Sequence, residues 1–261
     1  MKVGIIGVGV VGAACKFGFE LLGHDVRVHD IAMDTTINDV LDTDITFICV
    51  PTPSDEDGSC NTNIVEEVIL DLREKNYSGV VAIKSTVEPG TTERLRAKTN
   101  MRICFVPEFL RERCAITDFT ENHDVCIVGV NTKEEYQVIK EVHGNLPEKF
   151  VRLTPTEAEF CKYFNNVYNA ALIIFANSFY EACKSKGADY AKVKNAVINR
   201  KHIHGNYLEC NDNFRGFGGM CLPKDVSAMA NLMKDTDVDF FKNLLEENKK
   251  YKITVFDGMR K

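Results

Sequence analysis

The residues best suited to covalent chemistry lie late in the chain, in Phe214-Arg215-Gly216-Phe217-Gly218-Gly219-Met220-Cys221-Leu222-Pro223-Lys224-Asp225. Gly216, Gly218 and Gly219 let the backbone come close to a ligand. Lys224 can favour the thiolate of Cys221, and Asp225 can orient a water or share a proton. The chain has ten cysteines, so any single thiol is more often a structural bystander, and composition alone does not select Cys221. A second group opens the chain. Gly7-Val8-Gly9-Val10-Val11-Gly12 follows the apolar run Lys2 to Ile6 and precedes apolar residues at helical spacing from Ala13 to Leu22. In that context Gly7 permits a tight turn, Gly9 lets a pyrophosphate approach the amides at Val10 and Val11, and Gly12 lets helix and strand pack closely. Asp30 closes the next strand at the position where a carboxylate accepts from the adenosine ribose, and its charge favours NAD over NADP. The competing reading is a glycine turn in another α/β sheet. A third pair, Lys162 and Asn166, lies four residues apart and so on one helix face. From helix position alone, a solvated lysine and asparagine is the commoner case.

These residues need a scaffold that alternates strands and helices. Strands are expected at 2–6, 25–29, 45–50, 80–85, 101–106 and 125–130, with helices near 62–75, 91–98 and 133–143. That order predicts an α/β protein with a Rossmann-like, doubly wound parallel sheet. Ligands collect in loops at the carboxyl ends of such strands, here Pro51-Thr52-Pro53, Ser85-Thr86-Val87 and Pro107-Glu108-Phe109-Leu110-Arg111-Glu112. Thr154-Pro155-Thr156-Glu157 then carries a threonine cap, a proline in the first turn and a glutamate three residues after the cap. It predicts a long helix as far as Gly187. A short helix near 189–199 precedes an irregular stretch, and that stretch carries the thiol loop Phe214 to Asp225.

Composition narrows the function. A net charge of −6 without basic runs argues against nucleic acid. Cysteines without paired spacing, and an N-terminus lacking an export pattern, point to reduced thiols in a cytoplasmic protein. No segment has the length of a membrane span, and no metal site is expected.

In the order of its motifs the chain resembles the UDP-glucose/GDP-mannose dehydrogenase family. The landmarks are Gly7 to Gly12, Cys49-Val50-Pro51-Thr52-Pro53, Lys84-Ser85-Thr86-Val87, Pro107 to Glu112, Glu157 to Asn166, and Gly216 to Asp225. The resemblance implies oxidation of the C6 alcohol of a nucleotide-linked hexose to the acid, with two NAD reduced in turn. In that role Cys221 forms a thiohemiacetal and then a thioester. Lys162 and Asn166 match the pair that stabilises the oxyanions, and Thr86, Glu112 and Asp225 match residues that manage water and protons. Thr52, Thr86, Glu112 and Lys224 join Gly7, Gly9, Val10, Val11, Gly12 and Asp30 around NAD. Glu108, Phe109, Leu110, Arg111 and Glu112 hold the sugar, with Lys162, Asn166, Asn211, Asn213, Phe214 and Gly218. UDP-glucose is the first expectation, with GDP-mannose or a UDP-N-acetyl-hexosamine as alternatives.

The implied organisation is an NAD-binding domain over 1–153, then a connecting and dimerising helix with a smaller helical domain over 154–261. Phe160, Phe164, Tyr168, Ala171 and Phe175 form an apolar stripe on that helix, so a homodimer is expected. Three departures stand out. Glu88 replaces a common proline, Arg113 follows Glu112, and the segment between Asp30 and Ile45 is too short for the family's usual helix. The family also adds a third, Rossmann-like domain, of which Lys252 to Arg260 resembles a remnant. Without that domain, few contacts to the nucleotide base are expected within the chain. The competing class is a non-catalytic NAD- or partner-binding dimer; a 3-hydroxyacid dehydrogenase, which needs no Gly-Gly-x-Cys loop, is a more distant rival.

Overall fold

A computed structural model describes residues 1–251; the remnant expected at Lys252 to Arg260 lies outside the described residues. Two compact units emerge among the described residues, one of Met1–Pro53 with Cys60–Lys162, the other of Ser54–Ser59 with the described residues from Tyr163 onward.

In the first unit, β1 (Lys2–Ile6), β2 (Asp25–His29), β3 (Ile45–Ile48), β4 (Val80–Ile83), β5 (Ile103–Phe105), β6 (Cys126–Gly129) and β7 (Phe150–Leu153) form one sheet. Its order is β2-β1-β3-β4-β5-β6-β7. Strands β3 and β4 are short runs rich in β-branched residues and buried throughout, as central strands covered on both faces must be. Helices α1 (Val10–Leu21), α2 (Asn63–Glu74), α3 (Thr91–Thr99), α4 (Ala115–Thr120) and α5 (Lys133–His143) supply that cover. One apolar cluster joins Phe19, Phe47, Phe119 and Val142; another joins Ile48, Ile69, Leu72 and Leu95. Because β2 and β3 lie on opposite sides of β1, the glycine loop after β1 opens at a switch point of the sheet.

The sheet is Rossmann-like and mostly parallel, with one junction that differs from the expected all-parallel order. β6 runs antiparallel to β5, touching it through Phe105 and Gly129, and β7 then pairs parallel to β6. Strand direction depends on how the 107–125 connection returns, which local pattern does not encode. β7 was not among the expected strands. Between Asp30 and Ile45 there is a single 3₁₀ turn, Ile37–Val40, and no α-helix.

The long helix forms as expected. In α6 (Pro155–Ser185), Thr154 and Glu157 cap reciprocally: the Thr154 amide donates to Glu157 Oε2 at 2.8 Å and the Glu157 amide to Thr154 Oγ1 at 3.4 Å. Gly187, at φ 66°, follows its end. The second unit continues with α7 (Tyr190–Val197), α8 (Leu222–Leu232) and α9 (Phe240–Lys249). The excursion Ser54–Ser59 belongs to it: Asn231 of α8 donates to the Asp57 carbonyl at 2.9 Å, and a Cβ on Gly58 would strike Ser227. No helix of the described residues is long and apolar enough to cross a membrane.

One feature of the first core titrates. His143 is fully buried, its ring edge-on to Phe19 and Phe47, with Nδ1 2.8 Å from the Ile139 carbonyl. Burial, then the Lys84 charge, pushes His143 well below the ordinary histidine range and His123 down to about 4. Once unfolded, both histidines regain a value of about 6.5, so below it the unfolded chain binds more protons and stability falls with pH. Urea midpoints are expected to hold above about pH 7 and to decline steadily from there toward pH 4; an unchanged midpoint down to pH 4.5 would contradict this.

Candidate active site

The glycine loop has the shape a dinucleotide needs. Gly7 adopts φ 88°, a Cβ on Gly12 would overlap the Gly7 carbonyl oxygen, and a Cβ on Gly9 would meet nothing within 4 Å. Gly9 is the N-cap of α1 and has no side chain to satisfy the first amides, which leaves the Val10 and Val11 end of the helix open to an anion. Asp30 accepts from the Val8 amide at 2.6 Å and the Ala32 amide at 2.8 Å. Those two backbone bonds hold its carboxyl below the ordinary range. An ionised carboxylate has about four acceptor sites, so Asp30 retains capacity for ribose hydroxyls. The residues present fit a dinucleotide.

The loops after β3, β4 and β5 carry the next group. Thr52 is buried and Thr86 half-buried. Cys60 ties the second loop, its thiol donating to the Thr86 carbonyl at 3.3 Å, while its amide donates to Glu88 at 3.2 Å. The glutamate that departs from the family pattern thus has a local bond. In the third loop Glu108 Oε1 lies 2.8 Å from Lys162 Nζ, which also donates to the Glu108 carbonyl at 2.8 Å. Burial works against ionisation of Glu108, but the Lys162 charge, its hydrogen bond and the Leu110 amide hold the carboxyl below its usual value. The Phe109 ring centroid is 5.9 Å from the same ammonium. Arg111 makes a two-point pair with buried Asp118, at 2.9 Å from Nε and 2.6 Å from a terminal nitrogen. Glu112 is exposed at the start of a 3₁₀ turn, Glu112–Cys114.

In the second unit the thiol stands at a helix end. Cys221 is exposed and is the N-cap of α8, and Pro223 and Asp225 fall in the first turn. This α8 corrects the reading of the region as irregular; proline and an acid in a first turn are the signals that could have located it. Asp225 is fully buried. Its Oδ2 accepts from Asn166 Nδ2 at 2.6 Å, and Lys224 Nζ lies 2.8 Å from Oδ1 as an ion pair without hydrogen-bond alignment. Gly216 and Gly219 sit at φ 65° and 77°, the left-handed conformations for which glycine is suited. Asn211 and Phe214 close a tight turn through reciprocal backbone bonds at 3.4 and 3.0 Å. Asn213 bonds to the Asn211 side chain at 2.9 Å, and Gly218 is half-buried.

Two asparagines that the sequence did not single out hold this loop. Asn177 of α6 accepts from Arg215 Nε at 2.8 Å and from the Gly216 amide at 3.2 Å. Asn248 of α9 brackets Phe217, accepting from its amide at 2.8 Å and donating to its carbonyl at 2.9 Å. A polar residue directly after the apolar run Leu172 to Ala176 was a faint signal for Asn177, whereas nothing local marks Asn248.

A mostly parallel sheet, a glycine loop at its switch point and an acidic partner after β2 define an NAD-binding, Rossmann-type protein. Residues 32–147 match the model of the NAD binding domain of the UDP-glucose/GDP-mannose dehydrogenase family, and 156–250 match its central domain. The chain belongs to that family, and its cofactor is NAD. The chain is 31% identical to UDP-glucose 6-dehydrogenase of Haloferax volcanii, over 88% of this chain and 64% of that one. Identity to GDP-mannose 6-dehydrogenase of Pseudomonas aeruginosa is 28%, over 92% and 66% of the two chains. The solved UDP-glucose dehydrogenase of Pyrobaculum islandicum superposes with a TM-score of 0.87 at 28% identity, covering 95% of this chain and 68% of that chain. The chain thus spans about two thirds of the length of these relatives. A 3-hydroxyisobutyrate dehydrogenase of Mycobacterium tuberculosis, TM-score 0.76 at 15% identity, shares the fold alone.

The Glu108–Lys162 pair is held away from water, with side chains 13% and 5% exposed. Removing one partner of a buried pair strands the other charge, so Glu108→Ala is expected to lower stability by about 3 kcal/mol. Urea unfolding measures it, and a loss under about 1 kcal/mol would mean that the pair is effectively solvated.

Proposed function

We propose that this chain oxidises the C6 alcohol of a nucleotide sugar to the uronic acid, with UDP-glucose as the first substrate to test and GDP-mannose or a UDP-N-acetyl-hexosamine as the next. The observation that carries the reading is Cys221, exposed at the N-terminus of α8 with a fully buried carboxylate one turn behind it. When bound, NAD accepts the hydride in each of two oxidations. Gly7, Gly9, Val10, Val11, Gly12 and Asp30 hold it, with Thr52, Thr86, Glu112 and Lys224 beside it.

The chain's own residues do the rest. The thiolate of Cys221 adds to the aldehyde carbon of the first product, forming a thiohemiacetal whose oxyanion Lys162 and Asn166 stabilise by charge and amide donation. The second oxidation leaves an acyl group on Cys221 as a thioester. Water then adds at that carbonyl, the C–S bond breaks, and the thiolate is regenerated as the acid departs. Thr86, Glu112 and Asp225 orient this water and take its protons. Asp225 is suited to this role because, among the described residues, its Oδ1 has no aligned hydrogen-bond donor. The balance is one alcohol, one water and two NAD consumed, with one carboxylate, two NADH and three protons formed. Glu108 to Glu112, with Asn211, Asn213, Phe214 and Gly218, hold the sugar. Arg111 does so from its pairing with Asp118.

A homodimer through α6 and a cytoplasmic setting belong to the same proposal. Phe160, Phe164, Tyr168 and Phe175 are all exposed on that helix, Phe164 by 75%. Phe164 and Tyr168 stack with ring planes 11° apart, an apolar face suited to a second copy of itself. Light scattering is expected to give twice the chain mass of 29.4 kDa, and a monomer at working concentration would remove the dimer from the account.

The reaction is tested by absorbance at 340 nm with NAD and a panel of UDP-glucose, UDP-N-acetylglucosamine and GDP-mannose. Two NADH per acid formed is the expected outcome. No turnover with any of them, despite measurable NAD binding, would favour the non-catalytic binding reading.

A further inference from the structure

Glu159 was not singled out by the sequence, and the chemistry proposed above leaves it unused. It is fully buried on α6, three residues before Lys162. Its carboxylate accepts from the Gly90 amide at 2.5 Å, the Thr92 amide at 2.8 Å and Thr92 Oγ1 at 2.6 Å. Gly90 is the N-cap of α3, at φ 97°, and has no side chain to satisfy the helix's first amides. A carboxylate from another helix therefore supplies this cap, at the end where the helix dipole favours negative charge.

The origin of the cap matters more than the cap itself. A capping side chain at position 90 could reach the Thr92 amide but not the amide of its own residue, and φ 97° favours glycine there. Because Glu159 and Lys162 lie three apart, they share one face and one turn of the helix. Whatever fixes Glu159 also fixes Lys162, whose ammonium is bound to Glu108. One turn of α6 is thereby tied to two loops, Ser85 to Gly90 after β4 and Pro107 to Glu112 after β5. The first of these carries Thr86, whose carbonyl accepts from the Cys60 thiol at 3.3 Å.

We propose that Glu159 is a positioning residue, setting the Thr86 loop against Lys162 by holding Gly90 and Thr92 from the turn that carries the lysine. The inference rests on the oxidation proposed above for its effect on turnover, but not for the clamp itself. Rate is sensitive to such placement: an error of about 1 Å can cost about 100-fold.

Two variants test it. Glu159→Gln replaces one acceptor oxygen with a donor, whereas Thr92→Val keeps the shape and both amide bonds and removes only the hydroxyl. Amide hydrogen exchange at Gly90 and Thr92 is expected to speed at least about tenfold in Glu159→Gln and less in Thr92→Val. Counted per Cys221 titratable by a thiol reagent, kcat is expected to fall about 10- to 100-fold in Glu159→Gln, with KM for NAD and for the nucleotide sugar within about twofold. If Glu159→Gln does not fold, Thr92→Val carries the test through a fall of about threefold. Unchanged exchange would overturn the clamp, and unchanged kcat beside a lowered Tm would reduce Glu159 to a helix cap. If the wild-type protein turns over no nucleotide sugar, the proposed reaction fails and the exchange data alone decide the clamp.

Discussion

A single helix of 31 residues carries an inward stripe of polar groups, each of which must find a partner or pay the desolvation cost alone. Glu159, Lys162, Asn166 and Asn177 are all buried on α6. Their separations of three, four and eleven residues bring them back to one stripe, since eleven residues make about three turns. Their partners are, in turn, the Gly90–Thr92 amides, Glu108, Asp225, and the Arg215–Gly216 segment. Every one of these partners lies in or next to a loop proposed to touch cofactor or substrate. The reciprocal Thr154 and Glu157 cap fixes where the helix begins and so sets the register of the whole stripe.

Buried polar pairs of this kind are poor sources of net stability and good sources of uniqueness. Replacing a satisfied pair with apolar residues is often neutral, while removing one partner is costly. The arrangement is therefore best understood as restricting loop geometry. In the first unit, helices on both faces of the sheet supply the apolar burial that offsets the cost. In the second unit a smaller apolar cluster around Tyr190, Leu208 and Cys210 does so, and Asn248 adds a paired amide bond across the Phe217 backbone.

Local pattern revealed the features whose causes are local. The glycine loop, the β-branched runs of β3 and β4, the cap at Thr154 and the stop at Gly187 each follow from neighbouring residues, and each stands where it was expected. β7 was missed because Phe150–Leu153 is short and only half-buried, without a clear alternation. The antiparallel turn of β6 was missed because direction belongs to the connection. The glycines before Cys221 read as loop and hid the start of α8. Among site residues, the spacing of Lys162 and Asn166 put them on one face, but the partners of Asn177 and Asn248 lie 38 and 31 residues away in sequence and leave no local trace. Asp118, which turns Arg111, and Glu159 were hidden for the same reason.

The central claim is that Cys221 carries the substrate as an acyl group. Its most direct test is to quench the protein with acid during turnover of a nucleotide sugar and weigh the peptide containing Cys221. The account predicts an adduct equal to the nucleotide sugar less four hydrogens, on Cys221 and on no other cysteine. Acid formation at full rate with no such adduct, and undiminished in Cys221→Ala, would contradict it.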